Sequence, residues 1–138
     1  MLSSETVIEV NFGDCDPAGI VFYPNYFRWF DQCLNAMIAR AGLDLMTMVE
    51  RYGVVGLPLI EAGSRFFIPS SPGDKLLVRT TVTECGRKTI KVAHTFLKGD
   101  AVALEGWEVR VWARAHPDDP KRLQTVEIPD DVRQIFTR

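Results

Sequence analysis

FGDCDPAGIVFYPNYFRWFD, residues 12–31, is where strand-like alternation gives way to a helical period. Asp14 and Asp16 stand in a turn-rich loop, followed by a Pro-Ala-Gly bend and a short apolar run. Tyr23-Pro24-Asn25 then opens a helix predicted over Asn25–Ala41. Along it Tyr26, Phe30, Cys33, Leu34, Met37, Ile38 and Ala41 recur at three- and four-residue intervals as one apolar stripe. Gly42 ends it. A carboxylate delivered close to a helix N-terminus is a place for chemistry, because the dipole and unpaired N–H groups there favour negative charge on a side chain or a reacting oxygen.

Working outward, residues 5–12 (ETVIEVNF) alternate as a first strand, with Val7 and Phe12 flanking polar Glu9 and Asn11. Leu45–Tyr52 fits a short second helix. From Val54 the pattern is β: a long strand to Pro69 interrupted at Gly56-Leu57-Pro58, where the proline points to an edge, bulge or bend. Turn signals then separate Leu76–Thr83, Thr89–Leu97 and Val102–Ala115, before a short strand through Leu123–Ile128 and a terminal helix at Asp130–Phe136. A strand, a long helix and several strands joined by hairpin-sized turns suit an antiparallel sheet with one helix laid across it, an α+β architecture. One helix covers only one face, so a partner is expected to protect the rest and the chain is expected to be a homo-oligomer.

At 138 residues the chain is read as one domain, 1–138, of ordinary soluble composition, 46% hydrophobic and 25% charged. A net charge of −2 argues against a general nucleic-acid binder. No apolar run is long enough to span a bilayer, and MLSSETVIEV lacks a signal-peptide pattern. Cys15, Cys33 and Cys85 are odd in number and widely spaced, so they read as free thiols in a cytoplasmic protein. No cofactor is expected. Two histidines, His94 and His116, cannot supply a zinc site, and both are read as strand-surface or interface residues. With no GxSxG either, carboxylates and backbone amides must carry any hydrolysis. Trp29, Trp107 and Trp112 read as core or subunit contacts.

These residues resemble a known family. FGDCDPAGIVFYPNYFRWFD, with GVVGLP (53–58), SPGD (71–74), CGRKTI (85–90) and RLQTVEIP (122–129), is similar to the hotdog-fold acyl-CoA thioesterases, specifically the 4-hydroxybenzoyl-CoA branch. The resemblance implies a sheet wrapped around one long central helix, a substrate that is an aromatic (4-hydroxybenzoyl-like) or short acyl-CoA, and a homotetramer built as a dimer of dimers. It places catalysis on Asp16 and the donor that polarises the thioester carbonyl on the Tyr23 backbone amide. Asp31 falls near the acyl pocket, and Arg87 and Lys88 fall on the turn that holds coenzyme A phosphates, with Thr89 beside them as a further substrate-binding residue. The chain departs from that branch at Phe22, Phe27, Leu57 and Gln124, where the hydroxybenzoyl enzyme carries Trp, His, Thr and Arg.

The chemistry is self-consistent. A thioester's leaving thiol has a pKa of about 8.5 by analogy with cysteine, so it departs at neutral pH without a strong general acid. What remains is a nucleophile or base, assigned to Asp16, and an oxyanion donor. Taken singly, Asp14 and Asp16 would cap turns, and Arg87 and Lys88 would be solvated hairpin charges. Asp31 is either a pocket residue or a surface carboxylate pairing with Arg28 or Asn35. An acyl-CoA dehydratase or hydratase on the same scaffold would need a histidine within residues 16–31, and none is there. A non-catalytic acyl-CoA-binding protein is the third alternative.

Overall fold

The computed structural model describes residues 1–138. The elements run β1 (Ser3–Glu9), α1 (Pro24–Arg40), a short α2 (Leu45–Thr47) continued by a π-helical turn (Met48–Tyr52), β2 (Leu59–Phe66), β3 (Lys75–Cys85), β4 (Thr89–Lys98), β5 (Ala101–Val111), β6 (Ala113–Ala115), β7 (Leu123–Thr125) and α3 (Asp130–Phe136). The main sheet is five-stranded and antiparallel in the order β1-β3-β4-β5-β2, and β6 and β7 form a separate two-stranded ladder. No helix is long and apolar enough to cross a membrane.

α1 forms where the stripe predicts it. Pro24 occupies the first turn, where its missing N–H costs nothing, and Arg40 complements the dipole in the last. Tyr26, Trp29, Phe30, Cys33, Leu34, Met37 and Ile38 are its buried face, which adds Trp29 to the stripe read from the sequence.

Several boundaries differ from the sequence reading. The first strand ends at Glu9, and Phe12 sits on a 3-10 turn, 87% exposed. The inward residues are Ile8 and Val10 and not Val7, because adjacent Val7 and Ile8 leave the phase undecided in sequence alone. The long strand from Val54 shrinks to Leu59–Phe66, with Pro58 just outside it and a register shift between Leu59 and Glu61. β2 is an edge strand, as Pro58 suggested. The last long strand breaks at Trp112: the Trp112 N–H donates to the Lys88 carbonyl, and Ala113–Ala115 turns away to pair with β7.

The core is divided. One cluster gathers Leu34, Met37, Ile38, Leu43, Met48, Leu57, Ile90, Trp112 and Phe136 among others, and a second gathers Ile8, Val10, Val21, Tyr26, Trp29, Phe30, Leu76, Phe96 and Leu104. Between them, on adjacent strands, lie buried Thr80 of β3, His94 of β4, and Glu108 and Arg110 of β5. His94 is therefore neither a surface nor an interface residue. It is 1% exposed, in phase with Val92 and Phe96 on the face covered by α1.

Candidate active site

The loop after β1 folds back as a small hairpin. Cys15 and Val21 form an antiparallel bridge, the Asp16 N–H donates to the Ile20 carbonyl at 2.9 Å, and the Phe22 N–H donates to the Asp14 carbonyl at 2.9 Å. Its tip is a turn in which the Gly19 N–H returns to the Asp16 carbonyl at 2.9 Å. Gly19 has φ of +79°, which side chains with a Cβ adopt poorly.

The two aspartates part company here. Asp14 is structural: Oδ2 accepts the Asn11 N–H at 2.8 Å and Oδ1 accepts from Arg28 at 3.1 Å, tying the loop to α1. Asp16 sits at the hairpin tip, where Oδ1 accepts the Ala18 N–H at 2.9 Å and no protein group bonds Oδ2. Next to it, burial and the Asp14 and Asp16 carboxylates push the Cys15 thiol up, which suppresses a thiolate beside the loop.

At the start of α1 one amide is left open. The Asn25 N–H donates to the Phe22 carbonyl at 2.9 Å and the Tyr26 N–H to the Tyr23 carbonyl at 3.1 Å, while Pro24 has none. The Tyr23 N–H has no partner in the chain. Tyr23 is 63% exposed and lines an apolar cavity of about 210 Å³ with Ile20, Val21, Tyr26, Phe66 and Pro69.

A second cavity, of about 450 Å³, opens between α1 and the segment before β2, walled by Asp31, Asn35, Leu45, Leu57, Pro58 and Arg110. Asp31 bonds Asn35 through Oδ2 at 3.1 Å and Arg110 through Oδ1 at 2.9 Å. Arg28 goes to Asp14 instead. Arg110 also donates to the Leu57 carbonyl at 3.0 Å and to Glu108, which in turn accepts from His94 Nε2 at 2.7 Å. Burial alone would push the Glu108 carboxyl up, but the hydrogen bond from His94 and the Arg110 charge outweigh it and hold the group below its ordinary value.

Arg87, Lys88 and Thr89 lie apart from both cavities, at the turn from β3 to β4. Arg87 is exposed and pairs with Glu127 at 3.2 Å, and the Thr89 carbonyl accepts the Gly86 N–H at 2.8 Å. His116 accepts the Asp118 N–H at 3.1 Å. No group of three His, Cys, Asp or Glu side chains is placed to hold a metal ion. The residues missed in sequence are Glu108 and Arg110. Their signal was polar side chains at inward-phase positions of a strand whose other inward residues are apolar.

Comparison with known proteins places this geometry in a family. Residues 10–136 match the model of the thioesterase-like superfamily. The chain is 36% identical to a 4-hydroxybenzoyl-CoA thioesterase of Pseudomonas sp. (strain CBS-3) over 91% of this chain and 92% of that protein. Superposed on the structure of the Pseudomonas enzyme it gives a TM-score of 0.89, with 32% identity and 98% and 99% of the two chains covered. A gentisyl-coenzyme A thioesterase structure gives 0.82 at 32% identity, covering 98% of this chain and 100% of that one. A 1,4-dihydroxy-2-naphthoyl-CoA hydrolase of Thermosynechococcus vestitus is 30% identical over 89% of this chain and 81% of its own length. The chain thus has the hotdog fold and belongs to the thioesterase-like superfamily, as a thioester hydrolase.

Proposed function

We propose that this thioester hydrolase cleaves a hydroxylated aromatic acyl-CoA to the free acid and coenzyme A, with Asp16 driving attack and the Tyr23 amide holding the oxyanion. The open Tyr23 N–H carries the reading: it is the amide at the start of α1 that the chain leaves unpaired, and the helix dipole lies behind it. Such a donor lowers the barrier by about 3–4 kcal/mol. Asp16 keeps one oxygen unbonded while its turn fixes the other. It attacks the carbonyl to form a mixed anhydride, or takes a proton from the attacking water, and the thiolate departs either way. Support for the substrate class comes from three relatives whose names each carry a hydroxylated aromatic acyl group. Asp31 supplies a fixed carboxylate at the wall of the larger cavity, and Arg87, Lys88 and Thr89 hold the coenzyme A phosphates.

The working form is a homo-oligomer, a dimer of dimers. β2 bonds only β5, and Leu59, Ile60, Phe66 and Phe67 in or beside it are 48–61% exposed. Such an edge is a template for a second copy. Antiparallel pairing of two β2 strands would bring the Pro58 end of one copy, with its larger cavity, to the Phe66–Pro69 end of the other.

The test is Asp16→Asn and Asp16→Ala, assayed over benzoyl-, 4-hydroxybenzoyl-, gentisyl- and straight-chain CoA thioesters. Turnover should fall by orders of magnitude in folded protein, and near-normal turnover by folded Asp16→Ala removes the assignment. Single turnover in ¹⁸O water detects direct attack when water opens the anhydride at the Asp16 carbonyl, which leaves the label in that carboxylate; water attack on the acyl carbon, by either route, labels the product acid instead.

A further inference from the structure

We infer that Arg110 is a positioning residue for the acyl end of the site, and that Glu108, His94 and Thr80 are buried to hold its guanidinium in place. The inference rests on the reading of Asp31 as a pocket residue. The contacts run without a gap. Thr80 Oγ1 lies 2.9 Å from His94 Nδ1, and His94 Nε2 lies 2.7 Å from Glu108 Oε1. The Glu108 carboxylate can only accept, so Nε2 donates to it. Glu108 Oε2 then accepts from Arg110 Nη2. The guanidinium ends at two points of the cavity wall, Asp31 Oδ1 at 2.9 Å and the Leu57 carbonyl at 3.0 Å.

Three observations separate this chain of contacts from ordinary core packing. Its side chains pass from 0% exposed at His94 and 2% at Glu108 to 9% at Arg110 and 55% at Asp31, so it begins in the core and ends at the cavity. Burying ions carries a desolvation cost that well-packed apolar residues avoid, and apolar clusters lie on both sides of this layer. Arg110 also leaves its Nε buried and unpartnered while both Nη atoms are used. The fork is thus turned toward its outer contacts even though one donor goes unmet.

The result is a carboxylate held at both oxygens. Asp31 is pinned at Oδ1 by Arg110 and at Oδ2 by Asn35. Its remaining lone pairs are held acceptors on the cavity wall, and the same guanidinium holds the Leu57 carbonyl of that wall. Fixed acceptors bond an aryl hydroxyl and are left unpaired by an unsubstituted ring, which is how a site discriminates between the two.

The test measures kcat and KM for 4-hydroxybenzoyl-CoA and benzoyl-CoA with the wild-type protein, Arg110→Met, Glu108→Gln, Asp31→Asn and the Arg110→Met, Asp31→Asn double variant. Arg110→Met should lower kcat/KM on the hydroxylated substrate at least about tenfold more than on benzoyl-CoA, mainly through KM. Glu108→Gln should move the ratio the same way by less, and the double variant should discriminate no worse than Asp31→Asn alone. Parallel losses on both substrates, or losses of discrimination that add in the double variant, would overturn the inference. If Arg110→Met does not fold, Arg110→Lys and Glu108→Gln decide, and an unchanged ratio in both overturns it. A wild-type protein hydrolysing both substrates equally well also overturns it, leaving thioester hydrolysis standing. One hydrolysing no acyl-CoA sinks the site reading and this inference together.

Discussion

Phe30 lies flat on His94, with ring centroids 4.7 Å apart and planes 8° from parallel. The approach depends on Gly106, which pairs with His94 across β4 and β5. A Cβ built on Gly106 would fall 2.1 Å from the Phe30 ring. Phe30 is fully buried and has nowhere to go. Gly106→Ala should therefore cost about 1–3 kcal/mol as overpacking, read as a Tm lower by roughly 3–15 °C. Gly63 makes the control. Its Cβ would meet the Trp107 ring at the same 2.1 Å, but Trp107 is 41% exposed and can swing into solvent. Gly63→Ala should lower Tm clearly less.

Glu108 makes stability pH-dependent. Its folded carboxyl lies below the ordinary value because His94 and Arg110 overcome the opposing effect of burial. Between that depressed value and an unfolded value of about 4.3, the unfolded chain binds more protons. Stability from this group is thus present above about pH 4.3 and is lost as pH falls through the folded value. Denaturant titrations between pH 7 and 3 should show a shallower acid decline in Glu108→Gln than in the wild type. Equal slopes would mean that Glu108 is not the group responsible.

Asp14→Ala tests the division of labour in the loop. It removes the acceptor for the Asn11 N–H and the partner of Arg28, so it should cost about 1 kcal/mol, as loss of a capping carboxylate does. Turnover should fall by a smaller factor than in Asp16→Ala. The opposite ranking would exchange the two roles.

At the distal turn, Arg87→Ala with Lys88→Ala should raise KM for a CoA thioester far more than for one truncated before the phosphates. Glu127→Gln, which frees Arg87 from its 3.2 Å pair, should leave KM for the CoA thioester unchanged or lower it. Equal effects of the double change on both substrates would remove these residues from the phosphate site.

The thiols should separate by burial. Cys33 is fully buried, and burial pushes its thiol up to about 11. Cys15 and Cys85 are half-buried. Because burial raises the Cys15 and Cys85 thiols as well, a disulfide reagent at pH 8 should modify these two in the folded protein more slowly than a free cysteine, and reach Cys33 only after denaturation.

The helix, its apolar face and the hairpin turns were legible because each is a local pattern: Tyr26 to Ile38 repeats at helical spacing, and Ser71-Pro72-Gly73-Asp74 can only turn. The loop was legible for the same reason, since Asp16-Pro17-Ala18-Gly19 specifies its own bend. The polar layer was not. His94, Glu108 and Arg110 each occupy the inward phase of a strand, but a polar residue there is taken for a surface one until the neighbouring strands show what it meets. Thr80, His94 and Gly106 come together only through the register of three strands, which no short window contains. The phase of β1 failed for a simpler reason, that Val7 and Ile8 are adjacent and equally apolar.

The split interior has a consequence for how such a chain can change. The larger cavity backs onto Ile38, Leu43, Met48 and Leu57 of one cluster, whereas the cavity beside Tyr23 backs onto Val21 and Tyr26 of the other. A seam of ionic contacts keeps the two apart. Repacking the half behind the larger cavity leaves the half beneath the Asp16 hairpin undisturbed, so the two can vary independently over generations.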